Sequence, residues 1–161
     1  MNSTMLRRIL WLVFAVAFAA PAQLKYDGPA PPKPDLPYLK HGDRLVPTES
    51  VTAKEEKKND DSTLLIDGAS SSAKTPLASP ILLMKSVNVL PRNLQLFKLD
   101  VKGGRRELFF PAKKQPQAIR IVVTKLSADG IWKIEVDESL EPGEYSLSPD
   151  GSNQAFCFQV F

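Results

Sequence analysis

Cysteine and histidine are all but missing from this chain: Cys157 and His41 are the only ones in 161 residues. A single thiol closes no internal disulfide, so the fold must rest on a packed core rather than covalent staples. One histidine leaves any Ser-His-Asp or Cys-His catalysis to His41 alone, and one His with one Cys falls short of a zinc ligand set. An excess of one charge is lacking too. The 21 Lys and Arg residues face 18 Asp and Glu, and two of the basic ones, Arg7 and Arg8, stand close to the N-terminus. The remainder is close to neutral, which is no electrostatic footprint for nucleic acid. No long segment carries apolar residues at helical spacing, which points to an all-β fold.

What is present begins with "MNSTMLRRILWLVFAVAFAAPAQ". Two arginines, an unbroken apolar run from Ile9 to Ala20 and small residues at Ala17, Ala19, Ala20 and Ala22 follow the three-part layout of a secretory signal peptide. The run is shorter than the ~20 residues of a spanning helix, so no stable membrane span is expected after processing. No cysteine follows it for lipid attachment. Residues 1–22 are therefore expected to be a signal peptide, and the location secreted or periplasmic. Residues 27–37, "DGPAPPKPDLP", hold five of the 14 prolines. They make 23–37 a proline-rich linker, expected to run as a stiff extended spacer.

Strands fill the rest. Tyr38 to Lys40 and Arg44 to Pro47 flank His41-Gly42-Asp43 as a hairpin. "KEEKKNDD" (54–61) reads as a solvated loop or a frayed helical turn. Thr63 to Ile66 and Pro80 to Lys85 are short strands. "LQLFKLDVKGGRRELFF" is a hairpin about Gly103-Gly104, with Phe97, Leu99 and Val101 on one face and Leu108 and Phe110 continuing it. "AIRIVVTKL" and "IWKIEV" pair about Ser127 to Gly130. Phe156, Phe158 and Val160 alternate as core positions; polar Gln159 breaks the row that a lipid-facing barrel strand would need. Period-2 alternation with a turn every ten or so residues predicts an all-β, antiparallel β-sandwich over 38–161.

The stretch Leu140-Glu141-Pro142-Gly143-Glu144-Tyr145 predicts a sharp corner, with Gly143 accepting positive φ and the Tyr145 hydroxyl reaching back to the backbone over a buried ring. Together with "TPLASPILL", "LQLFKLDVKGGRRE" and the aromatic last strand, it resembles small secreted bacterial β-sandwich domains of the Ig-like or transthyretin-like kind. The resemblance implies a fold and carries over no functional residue.

Candidate chemistry is sparse. Ser71-Ser72-Ala73-Lys74 has the S-x-x-K spacing of penicillin-binding enzymes, but Gly68, Pro76 and the lack of partner motifs make it a Ser-rich loop. Glu135, Asp137, Glu138, Glu141 and Glu144 read as a solvated acidic edge. Asp60-Asp61 and Asp150-Gly151-Ser152-Asn153 read as turns rather than calcium cages. Cys157 reads as a small buried hydrophobe. Lys102, Arg105 and Arg106, with Lys113 and Lys114 in the next loop, form the one basic surface patch, either gripping an anionic partner or guarding a strand edge. The expectation is an exported, non-catalytic module without a cofactor, structural or binding another envelope or extracellular protein. The alternative is a module binding glycan or cell wall through Trp132, exposed tyrosines and the basic turn.

Overall fold

The computed structural model describes residues 25–161; the signal peptide expected over 1–22 lies outside them. The described residues form thirteen strands: β1 (Tyr38–His41), β2 (Arg44–Pro47), β3 (Glu49–Thr52), β4 (Lys54–Lys58), β5 (Asp61–Asp67), β6 (Lys74–Thr75), β7 (Ile81–Lys85), β8 (Leu94–Lys102), β9 (Arg105–Phe110), β10 (Ile121–Lys125), β11 (Ile131–Val136), β12 (Gly143–Pro149) and β13 (Gln154–Val160). A single 3-10 turn, Pro91–Asn93, precedes β8. The fold is all-β and compatible with a β-sandwich. Every pairing between strands is antiparallel except the short one of β6 with β13. Among the described residues no helix is long and apolar enough to cross a membrane.

One sheet runs β10-β11-β7-β1-β2, and the larger one β3-β13-β12-β8-β9-β5-β4, with β6 beside β13. The two ends of the larger sheet are consecutive in sequence. β3 pairs with β13, β4 pairs with β5, and only Ala53 separates β3 from β4. The larger sheet therefore curls round until its first and last strands meet as halves of one bent segment, 49–58. Ala53 marks the corner, its N–H donating to Asn153 O at 2.8 Å. The result is a ring of strands with an interior of its own.

Two cores follow. The first lies between the layers: Leu39, Leu82, Met84, Ile134 and Val136 of the smaller sheet meet Leu94, Leu96, Tyr145, Leu147, Phe156, Phe158 and Val160 of the larger. The second fills the ring with Ala53, Ile66, Phe97, Leu99, Leu108, Ala155 and Cys157. β12, β13 and the first half of β8 serve both cores, one face to each, so they are buried on both sides. Successive side chains point to opposite faces, which sends Phe156, Phe158 and Val160 one way and Ala155 and Cys157 the other.

Several local expectations hold. Gly103 and Gly104 both take positive φ (57° and 77°) in a two-residue turn closed by Lys102 and Arg105, as a primed hairpin turn requires. Tyr145 is buried and its hydroxyl donates to Glu141 O at 2.7 Å. Others are corrected. The charge run is not a loop: Lys54–Lys58 is strand β4, fully exposed, with the reversal at Asn59 in positive φ. Charged side chains on both faces suit a sheet edge that must not recruit another chain. Gly143 does not take positive φ. It opens β12 opposite Val160, where a Cβ would stand 3.2 Å from Cε of the flexible Lys98 side chain, so turn geometry does not demand glycine there. Val101, expected on the inner face with Phe97 and Leu99, is exposed.

The end of the proline-rich segment does not stand clear as a spacer. Pro34 bridges to Lys85, and Pro31 and Pro37 are buried. The Asp35 carboxylate accepts from the backbone N–H groups of Val87, Asn88 and Val89 at 2.8–3.0 Å. Burial pushes the Asp35 carboxyl up, but these bonds and the Asn88 side chain outweigh it and hold the group below the ordinary carboxylate value.

Candidate functional site

The ring interior has a plugged end and an open end. Arg106, Leu108 and Phe110 point inward from β9, and Leu99, Phe97 and Gln95 face them from β8. Reading along these strands gives three levels: a polar plug, an apolar middle and a mouth.

Arg106 makes the plug. It was expected on the surface beside Arg105, yet it is 1 % exposed. The cause is the strand's own alternation: if Leu108 and Phe110 face the ring interior, Arg106 must as well. All five of its N–H donors are used. Nε donates to Gly68 O at 2.9 Å, Nη1 to Ser71 Oγ at 2.7 Å and Glu49 Oε2 at 3.3 Å, and Nη2 to Glu49 Oε1 at 2.7 Å and Asp67 O at 2.9 Å. Burial opposes its charge, but the Glu49 bond and the nearby carboxylates outweigh that and hold the guanidinium above its ordinary value.

Glu144, expected on a solvated edge, is 3 % exposed and belongs to the same cluster. Its Oε2 accepts from both the N–H and the hydroxyl of Ser71, and stands 3.8 Å from Arg106 Nη1. Glu144 Oε1 finds no partner among the described residues. Ser72 N donates to Glu49 Oε2 at 2.8 Å. The network thus clamps the Ser-rich loop down over the ring. Lys74 lies beyond it on β6, paired with β13, so the S-x-x-K spacing builds no catalytic pair. Cys157 lies in the same interior. Burial pushes its thiol up to about 12 and Arg106 only partly counters this, so at neutral pH it is an inert filler.

The mouth is a cavity of about 430 Å³. Leu64, Phe97, Leu108 and Phe110 form its floor, Phe97 and Phe110 packing edge to face at 5.9 Å between centroids and 75° between planes. Its rim is polar: Glu55, Asp60, Gln95, Gln115, Asp150 and Asn153. No residue expected to bind lies here. The only sequence clue was the pair of Asp-rich turns, 60–61 and 150–153, read one at a time. That ring closure brings them to one opening is long-range information.

The expected basic patch is dispersed. Besides Arg106, Lys102 is held at 2.7 Å by Glu107 and at 3.7 Å by Asp100. Arg105 is exposed at one end of β9, while Lys113 and Lys114 are exposed beyond its other end. At about 3.3 Å per residue those ends are ~17 Å apart. Trp132 is half-buried, with the Arg92 guanidinium 5.4 Å and the Lys125 ammonium 6.0 Å from its ring centroid. His41 bonds Thr75 Oγ1 at 2.9 Å instead of standing free at its hairpin tip. Compared with known proteins, the chain matches no family, no curated protein and no solved structure.

Proposed function

We propose that this chain is an exported, non-catalytic β-sandwich module of the Ig-like or transthyretin-like kind, secreted or periplasmic, that acts by binding another protein. One observation carries the reading. The Arg106, Glu144, Ser71 and Cys157 side chains are buried at or near the plugged end of the ring, with Glu49 half-buried beside them, while the accessible concavity lies at the other end beyond Phe97 and Leu108, none of its lining residues being cysteine or histidine. What faces solvent at that opening is a rim of carboxylates and amides over an apolar floor. That suits recognition better than turnover.

The glycan alternative has less behind it. The Trp132 ring lies within reach of two cations rather than standing free as a sugar platform, Tyr38 and Tyr145 are buried, and the basic side chains do not converge. The test is site-specific photocrosslinking in cells producing the full chain, with the probe at Phe109, which is 47 % exposed on β9, alongside retention on purified peptidoglycan and acidic polysaccharides. One discrete crosslinked protein and no retention is the expected result. Retention that Arg105→Glu abolishes would transfer the case to the glycan alternative.

A further inference from the structure

We propose that the mouth of the ring binds a cation carried on an apolar stem: an alkyl- or arylalkyl-ammonium or guanidinium group. This deepens the binding-module reading above and rests on it. The volume of about 430 Å³ lies within the range of small-ligand sites.

The rim is preformed. Asp61 Oδ1 accepts from Ala112 N at 2.9 Å and fixes the loop after β9 on one side. Asp150 N donates to Asn93 O at 2.9 Å and Ser152 N to Pro149 O at 3.1 Å, fixing the β12–β13 turn on the other. A site that is already shaped loses little ordering entropy when it is filled.

The charge on the rim has one sign. Glu55, Asp60 and Asp150 line the cavity, and no Lys or Arg does. Glu55 is held ionised chiefly by the hydroxyl of Ser62, with Lys57 3.4 Å away adding to it. Lys57 offsets part of that charge. Asp60 and Asp150 make no ion pair among the described residues. Lys113 and Lys114 stand on the same loop as Gln115 but do not line the cavity.

Below the carboxylates lie aromatic faces and edges. Phe110 is only half-buried, so part of its ring faces the opening. An ammonium beside an aromatic ring gains from the ring's negative face, and its stem gains by covering Leu64 and Phe110. An anion of the same shape gains the stem contact and meets repulsion at the rim. The chemistry is common to free organic amines and to Lys or Arg side chains of a polypeptide.

The test is an amide-resolved NMR titration of the processed chain with phenethylammonium, with its carboxylate analogue 3-phenylpropionate, and with short Gly-flanked Arg-Phe and Glu-Phe peptides. Saturable shifts are expected at Ser62, Leu64, Gln95, Phe110 and Asp150 for the cations. The Asp60→Asn/Asp150→Asn variant should weaken cation binding about two- to tenfold, while the rest of its spectrum shows the fold intact. Tighter binding of the Arg-Phe peptide assigns the site to a polypeptide; tighter binding of phenethylammonium assigns it to a small amine. Equal binding of anion and cation, shifts outside the mouth, or no saturation by any probe at millimolar concentration would overturn the proposal. None of these outcomes depends on whether the crosslinking above finds a partner.

Discussion

The two interiors of this molecule are built from opposite faces of the same strands, yet they differ in kind. Between the layers the core cluster is apolar, apart from the Tyr145 hydroxyl, which reaches the backbone, and buried Thr75, whose hydroxyl bonds His41 from one sheet to the other. Inside the ring an arginine, two glutamates and a serine plug one end, and the other end stays open. The first interior is a matter of area removed from water. The second holds buried charge, whose desolvation must be offset by partners: Arg106 has one for each donor, whereas Glu144 Oε1 has none among the described residues. The contrast locates cohesion in one core and a defined shape for the lid loop and mouth in the other.

Breaking the ring's polar plug should have the largest effect. Arg106→Met strands Glu49 and Glu144 and is expected to cost about 3–5 kcal/mol, read from the urea midpoint. Adding Glu49→Leu and Glu144→Leu to it should recover part of that loss; if the triple variant is no more stable than Arg106→Met, buried charge is not the cause. In the apolar core, Leu147→Ala should cost about 2–5 kcal/mol through the void it leaves, with no recovery from any second polar change.

Asp35 sharpens the comparison from outside both cores. Its carboxyl is held low in the folded state, so its contribution is present above the ordinary carboxylate pKa and is lost as pH falls through the lowered folded value. Asp35→Asn should therefore destabilise by about 1 kcal/mol at pH 7 and much less once the pH has fallen through the lowered folded value, measured as thermal midpoints against pH. The smallest effect belongs to Cys157. With its thiol pushed up to about 12, a thiol reagent at pH 8 should leave the folded chain unlabelled and label it fully in denaturant, while Cys157→Ala, which keeps the site apolar, changes stability only modestly. Rapid labelling of the folded chain would contradict a sealed ring.

Much of the local architecture was legible in the residues. The double glycine at 103–104, the Leu140–Tyr145 corner and the alternation of β13 all act over a few positions, where turn sterics and side-chain period decide the outcome. The charged run 54–58 misled because its composition suits solvent and gives no sign of its partner β5; pairing overrode propensity. Arg106 was legible in principle: the rule that placed Leu108 and Phe110 inside applied to it too, but its charge argued for the surface. The mouth was not legible. Its floor comes from β5, β8 and β9 and its rim from turns far apart in sequence, and only closure at Ala53 assembles them.

That corner also orders events in time. β3 must wait for β13, its only ladder partner among the described residues, which is far along the chain from it (Glu49–Thr52 against Gln154–Val160). Such distant pairing makes assembly slow. A nascent chain in which β13 has not yet emerged would leave the ring's oily lining uncovered and open to chaperones or proteases until that stave drops into place.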